Sequence, residues 1–373
     1  MIRPQALVSA LTAKGITQFV GVPDSLLRPF VSGLNLNPRV SNHMIAANEG
    51  AAIGFAVGVY LEMGKPAAVY FQNSGLGNAV NPLTALAHRD VYGTPMVLII
   101  GWRGEPGQSD EAQHLAQGRI TLKLLEVMGI PFVVVDRNSK TAPEEVSRLV
   151  DSMSASPGPV AIVVSSGALE ELRGPSAKEQ NLSMTREEAL SEALSVIPAG
   201  DRVIATTGML GRELWELRKN RGESVDHDFL VVGGMGHAAA IAHGVAAANA
   251  RATVWCLDGD GSLLMHLGTL AVVGDSQPKN LKHILFNNFS HDSVGGQPTA
   301  AKSVDFELLC RSLSYGWTGS ASSLGEATTV LENLVLTDGP AMAELRVKKG
   351  ARSNLGRPPT EIFIPGTRFL LKS

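Results

Sequence analysis

Short apolar runs rich in Val, Ile and Leu recur along this chain, each parted from the next by a segment whose apolar residues fall at helical spacing. Strands that are apolar on both faces and joined through helices belong to parallel sheets covered on both sides. The pattern predicts a helix ending near Ala13, a strand over 17–20, a helix over 48–63, a strand over 67–71 and a helix over 78–88. Strands over 96–100, 131–135 and 159–164, with a helix over 142–153, complete the first half. The longest greasy stretches, such as PMVLIIGW at 95–102, are too short to span a bilayer, so no membrane segment is expected. The opening MIRPQALVSALTAKG lacks a continuous apolar core and a small-residue cleavage site, and reads as a first helix rather than a signal peptide.

The alternation is interrupted once. Residues 170–185, EELRGPSAKEQNLSMT, are polar, carry Gly174 and Pro175, and offer almost nothing to a core. Beyond them, helix REEALSEALSVI and strand RVIATTG restart the order of helix and strand seen at the N-terminus. The expected fold is therefore α/β: two doubly wound parallel-sheet domains, 1–172 and 186–373, with a linker over 173–185. At 373 residues and 44% hydrophobic content, the chain can fill two such cores. A formal charge of −3, scattered Lys and Arg, and 5% aromatics give neither a basic field nor a stacking platform, so nucleic acid is not an expected partner. Two cysteines, Cys256 and Cys310, cannot build a disulfide framework or a zinc cluster of Cys-x-x-Cys type, which fits the reducing cytoplasm.

The densest chemistry lies in the second half. Strand ATVWCLDGDGS ends in Gly259-Asp260-Gly261, and after the intervening 262–286 the apolar strand LKHILF ends in Asn287-Asn288. The segment SLLMHLGTLAVVGDS between them reads as one crossover helix, so both polar groups should emerge at neighbouring carboxyl ends, where open α/β sheets bind ligands. One carboxylate from Asp260, one amide oxygen from Asn288 and the Ser290 carbonyl make an all-oxygen set suited to Mg²⁺. Gly259 and Gly261 let backbone approach a phosphate closely. A lone Gly-Asp-Gly is ordinarily a turn; the paired asparagines at this spacing change that.

With those residues in place, the unit resembles the thiamine diphosphate-binding motif, and nearly the whole chain can be read against thiamine diphosphate-dependent decarboxylases. Gly233-Gly234-Met235-Gly236-His237 matches the glycine turn opening a helix toward the diphosphate, with Met235 in the place of the apolar residue that props the cofactor into its bent shape. Thr206-Thr207-Gly208 resembles a second diphosphate-contacting turn, and Ser262 follows the Gly-Asp-Gly. In the first domain, Glu49 at the head of the small-residue helix EGAAIGFAVG matches the glutamate that hydrogen-bonds the cofactor's pyrimidine N1′. Cofactor contacts implied are thus Glu49, Thr207, Gly208, Gly234, Met235, Gly236, Gly259, Asp260, Gly261, Ser262 and Asn288.

The arrangement is the short one, a pyrimidine domain followed by a diphosphate domain without a middle domain, as in the phosphonopyruvate and sulfopyruvate decarboxylase group. GVPDSLL at 21–27, QNSGLGN at 72–78, GWRGEPGQSDEAQH at 101–114, HDSVGGQPT at 291–299 and RSNLGRP at 352–358 look specific to that group. Phe289-Ser290 departs from the small residues expected after the paired asparagines. The resemblance implies non-oxidative decarboxylation of a small 2-oxo acid with thiamine diphosphate and Mg²⁺. Phosphonopyruvate is the preferred substrate on the single fused chain and HDSVGGQPT; sulfopyruvate decarboxylation, a related carboligase and a cofactor-binding pseudo-enzyme are the alternatives. Asp24 and His114, expected in loops facing the cofactor, are candidates for proton transfer. Arg103, helped by the basic segment 348–357, is a candidate for bidentate capture of the substrate's second anion. The family also implies a homodimer or higher oligomer, with sites between chains. His237 and His243 read as helix-packing residues, and His291 as a neighbour of the cofactor.

Overall fold

The computed structural model describes residues 1–172 and 182–359. The chain divides into two compact units, Met1–Ala177 and Lys178–Ser373. Most of the linker expected over 173–185 lies outside the described residues; its last part, 182–185, leads into a helix through a capping box. There the Thr185 hydroxyl accepts from the Glu188 N–H and the Glu188 carboxylate accepts from Thr185.

The first unit runs α1 (Pro4–Ala13), β1 (Gln18–Gly21), α2 (Arg28–Leu36), β2 (Asn42–Ile45), α3 (Glu49–Met63), β3 (Ala67–Gln72), α4 (Leu76–Pro82), β4 (Met96–Gly101), α5 (Ala112–Val127), β5 (Phe132–Val135), α6 (Ala142–Ala155) and β6 (Pro159–Val164). Its six strands pair in parallel in the order β2-β1-β3-β4-β6-β5. Because side chains alternate across a strand, β4 gives Val97 and Ile99 to one core and Leu98 and Ile100 to the other. Leu7 and Leu11 of α1, Phe30 of α2 and Val146 of α6 close the first; Ile53 of α3, Leu76 of α4 and Leu125 of α5 close the second. Each such fully buried aliphatic side chain contributes about 1.5–3 kcal/mol, which is what holds the helices to the sheet.

The second unit runs α7 (Arg186–Val196), β7 (Arg202–Ala205), α8 (Met209–Asn220), β8 (Asp228–Leu230), α9 (Ala238–Ala248), β9 (Val254–Gly259), α10 (Asp260–Met265), α11 (Thr269–Ser276), β10 (Leu281–Asn287), α12 (Phe306–Ser312), β11 (Trp317–Ala321), α13 (Leu324–Leu336) and β12 (Ala341–Arg346). The order is β11-β12-β10-β9-β7-β8, again all parallel. Counted within its own unit and read from the opposite edge, this is the order of the first sheet. The restart of the element order at Arg186 is thus matched by a repeat of topology.

In each unit the chain leaves its first strand for an outer neighbour and then returns to the other side, so a topological switch point opens between β1 and β3 and again between β7 and β9. Such points leave a crevice at the strands' carboxyl ends.

Two expected helices differ. The crossover from β9 to β10 is two helices, α10 and α11, because backbone at His266 leaves the helical region and Gly268 starts the next turn. The helix expected over 78–88 is α4 followed by a wider turn at Leu83–Ala87, since Pro82 has no N–H to continue the ladder. Among the described residues, no helix is long and apolar enough to cross a membrane.

Candidate functional site

In the second unit, β9 ends at Gly259 and Asp260 opens α10, so the Asp260 carboxylate sits at the helix's positive end. Asp260 is 2% exposed. Its Oδ2 accepts from the Thr299 hydroxyl, and the backbone N–H of Asn288 also donates to it. Burial nevertheless dominates and pushes the carboxyl up to about 6.

The paired asparagines divide their work. Asn287 is structural: its amide donates to Glu344 at 2.7 Å and its oxygen accepts from the Phe289 N–H at 3.1 Å. Asn288 Nδ2 donates to Asp292 at 2.6 Å, which turns Oδ1 toward the Ser290 N–H at 3.0 Å. Phe289 takes φ +58 and packs on the apolar core beneath α9–α12, so its ring leaves the site instead of blocking it. Ser290 is buried, and its hydroxyl has no hydrogen-bond partner among the described residues. Asp260 and Asn288 are brought together as expected, with Ser290 two residues further along the same loop. This oxygen-only set with one formal charge fits a hard divalent cation that keeps water and phosphate as further ligands.

Around it, three turns are tied through Ser262. The Thr206 hydroxyl donates to Ser262 Oγ at 2.8 Å and the Gly236 N–H at 3.1 Å. Ser262 therefore joins the end of β7, the glycine turn and α10. Thr207 donates instead to the Val232 carbonyl at 3.0 Å, and Gly208 and Gly234 take φ of +96 and +67. A Cβ on Gly236 would lie 2.6 Å from the His266 ring, and one on Gly261 would lie 2.9 Å from His291 and 3.5 Å from Met235. These glycines are where backbone must come close, and Met235 and His291 converge on Gly261. Burial lowers the His291 imidazole to about 4, so it stays neutral there. His237, expected to pack within a helix, is exposed just before α9 and lies against His266 with centroids 4.6 Å apart and the rings tilted by 54°. His243 packs as expected, hydrogen-bonding Ser276 at 2.8 Å.

In the first unit, Asn48 caps α3 by accepting from the Ala51 N–H at 2.9 Å, and Glu49 follows at the helix's first position. Glu49 is 5% exposed; Asn78 donates to its Oε2 at 2.8 Å. A Cβ on Gly75 would lie 2.3 Å from Glu49 Oε1, so the turn after β3 is glycine because the carboxylate lies against it.

Asp24, after β1, is 1% exposed. Its Oδ2 accepts from the N–H groups of Leu26 and Leu27 at 2.9 and 3.0 Å, while Oδ1 is buried without a partner among the described residues. Burial raises this carboxyl to about 6, against the pull of those N–H groups and of Arg103.

Arg103 corrects an expectation. Its fork is already taken: Nε and Nη2 donate to Asp110 at 2.8 and 2.5 Å, and Nη1 donates to Ser25 at 3.1 Å. Bidentate capture of a substrate anion is therefore not available to Arg103 in this arrangement. His114 is likewise not in a loop but in the first turn of α5, with Nδ1 3.0 Å from Asp110. Burial alone would disfavour charge on Asp110, but Arg103, His114 and the Gly104 and Glu111 N–H groups together hold its carboxyl below the usual range. Asn73 fastens the same loop, donating to the Arg103 carbonyl at 2.9 Å and accepting from the Arg103 N–H at 3.1 Å. The segments at 21–27, 72–78 and 101–114 thus form one network.

Asp110, Asn73, Ser25 and Thr299 were not singled out from sequence. Their only signal was membership of the segments quoted as group-specific. The basic segment is similarly committed: Arg352 pairs with Glu187 at 3.0 Å and Glu216 at 2.7 Å, and the Gly350 N–H donates to Asp292 at 2.7 Å. The segment thus braces the loop of Asn288, and its Arg352 is already paired.

Comparison with known proteins agrees with this geometry. Residues 4–124 match the model of the thiamine pyrophosphate enzyme N-terminal TPP-binding domain, and residues 206–344 match that of the C-terminal TPP-binding domain. A phosphonopyruvate decarboxylase of Streptomyces viridochromogenes is 35% identical over 97% of this chain and 93% of its own length. One from Streptomyces hygroscopicus is 33% identical over 99% and 93%. A sulfopyruvate decarboxylase of Methanosarcina acetivorans is 27% identical over 78% of each chain.

Proposed function

The chain belongs to the thiamine pyrophosphate enzyme family, and on that premise we propose that it decarboxylates phosphonopyruvate to phosphonoacetaldehyde and CO₂ with thiamine diphosphate and Mg²⁺. The observation that carries the substrate is the similarity, over nearly the full length, to two phosphonopyruvate decarboxylases. A single chain does not discriminate by itself, because the Methanosarcina sulfopyruvate decarboxylase also aligns across both units. Sulfopyruvate is the second reading on that similarity.

When bound, thiamine diphosphate supplies the nucleophilic carbon and holds the electron pair released with CO₂. The protein does the rest. Asp260, Asn288 and Ser290 would hold Mg²⁺ against the diphosphate; backbone around Gly208, Gly234, Gly236, Gly259 and Gly261 would approach it closely; Met235 would support the cofactor's bend. Thr207 and Ser262 shape these turns. Glu49, fixed by Asn78 through one oxygen, has the other to share a proton with the pyrimidine N1′. After CO₂ departs, the remaining carbon needs a proton. Asp24, with a raised carboxyl and an unengaged Oδ1, and His114, with Nδ1 held on Asp110, are the groups to deliver it. Arg103 orders these two through Ser25 and Asp110.

We place the site between chains of a homo-oligomer, and the reaction in the cytoplasm, where the buried thiols of Cys256 and Cys310 stay reduced. The intact Glu49, Asp260 and Asn288 speak against a pseudo-enzyme, and the two units follow each other without a middle domain. The test compares CO₂ release from phosphonopyruvate, sulfopyruvate, pyruvate and benzoylformate at equal concentrations, with and without thiamine diphosphate. Phosphonopyruvate should give the highest specificity constant. A higher value for sulfopyruvate or pyruvate ends the substrate claim but leaves cofactor and reaction type standing, whereas cofactor-independent release refutes both.

A further inference from the structure

The core of the second unit contains polar atoms that the proposed decarboxylation does not use. Cys256 and Asp258 point to one face of β9, and His283 stands beside them on β10, directly opposite Cys256 in the strand register. All three are at most 2% exposed, and one ligand atom from each lies within 4.8 Å of the others. Asp258 Oδ2 and His283 Nε2 are 3.9 Å apart, too far for a hydrogen bond, and neither has a partner among the described residues. The Tyr315 hydroxyl, buried within electrostatic reach of Cys310 and, more weakly, Cys256, is also without one among the described residues.

The Asp258 carboxylate is partly satisfied by Gly259, Ser262 and Thr206, but leaving a polar atom buried and unpaired costs about 1–3 kcal/mol, so Asp258 Oδ2 and His283 Nε2 side by side call for an occupant. A bridging water would satisfy the carboxylate and imidazole but gains little from sulfur, a weak hydrogen-bonding atom. A cation of Zn²⁺ type gains most from sulfur, and thiolate plus carboxylate cancel its double charge, leaving a neutral group in a dry core. Zinc–ligand lengths place tetrahedral donors roughly 3.5 Å apart, within a small side-chain rotation of the distances here.

We propose that Cys256, Asp258 and His283 bind a divalent transition-metal ion such as Zn²⁺, with Tyr315 or water as fourth ligand, separate from the Asp260–Asn288 cation site. The other oxygen of Asp258 accepts from the Gly259 N–H at 2.9 Å, so the ion would also brace the turn that carries Asp260.

The full-length protein is produced in zinc-supplemented medium, treated with EDTA while native to strip Mg²⁺ and loosely held ions, then unfolded and assayed for released zinc. One equivalent per chain is expected, falling below about a tenth in Cys256→Ala and in His283→Leu. Protein produced with cobalt should show a thiolate-to-cobalt charge-transfer band that Cys310→Ala keeps and Cys256→Ala loses. Thermal melting establishes that the variants fold; where they do not, the wild-type band decides. Wild-type protein without retained metal or band overturns the proposal and leaves water as the occupant, as does a band that survives Cys256→Ala.

Discussion

Asp24 shows how one buried atom couples stability to chemistry. Its folded carboxyl is raised from 3.8 to about 6, so the native state binds the proton more tightly than the unfolded chain. The resulting stability is complete below pH ~4 and is lost as pH rises through about 6. Asp24→Asn keeps an oxygen for Leu26 and Leu27 but carries no charge, so cofactor-free variant and wild type should melt alike near pH 4. By pH 8 the variant should be more stable by up to about 3 kcal/mol, with turnover reduced. A stability difference that does not grow with pH contradicts the assignment. Arg103 makes the opposite case, since its charge is needed by Asp110. Arg103→Ala should destabilise by about 3 kcal/mol, and adding Asp110→Ala should recover most of that, because the cost lies in the stranded carboxylate. Denaturant titrations of both proteins check this; equal destabilisation in the double variant would point to lost packing instead. Asp260 and Asn288 were legible in sequence because each follows the end of an apolar strand, and Glu49 because it heads a small-residue helix. Asp110 was not, since its importance exists only once Arg103 and His114 have folded onto it.

At the scale of elements, the strongly apolar strands β3, β4, β6, β9 and β10 could be read directly, being buried on both faces. The edge strands β2 and β8 could not: Asn42–Ile45 and Asp228–Leu230 are short, partly exposed and carry no apolar run. Helix α5 was missed for a related reason, with Gly118 in its interior and few apolar residues. That glycine is required, as a Cβ there would lie 1.7 Å from the Gly104 carbonyl. Close approaches of this kind position the site's loops. Gly75→Ala is the corresponding test: the added methyl must displace Glu49 or its helix, so turnover should fall on the order of 100-fold, since small misplacements of a reacting group cost that much. Steady-state turnover at saturating substrate and cofactor, beside a melting curve near wild type, gives the answer. Unchanged turnover would mean that Glu49 tolerates movement and is not held for proton sharing.

For the whole molecule, the alternation of strand and helix gave away both sheets, and their identical strand order makes each unit a similar frame with its switch point filled differently. The first lines the carboxyl end of its sheet with the buried carboxyls of Asp24 and Glu49; the second lines that end with glycine turns and the buried carboxyl of Asp260. The proposed function draws on residues of both units, Glu49 from the first and Asp260 from the second. The proposal that they come from different chains has a direct consequence. Glu49→Gln fills the same volume as Glu49 but cannot share the N1′ proton, and Asp260→Ala removes the one formal negative charge from the Mg²⁺ set. Each homo-oligomer should be inactive, the first still binding thiamine diphosphate and the second not. If the site is shared between chains, a mixed dimer has one site with both lesions and one with neither. Exchange between equal amounts of the two proteins makes about half of the dimers mixed, so activity should recover to roughly a quarter of wild type, by simple combinatorics of a closed two-fold dimer. Mass spectrometry of differently tagged chains establishes that exchange has occurred. Persistent inactivity after proven exchange would place both residues in a site made by one chain.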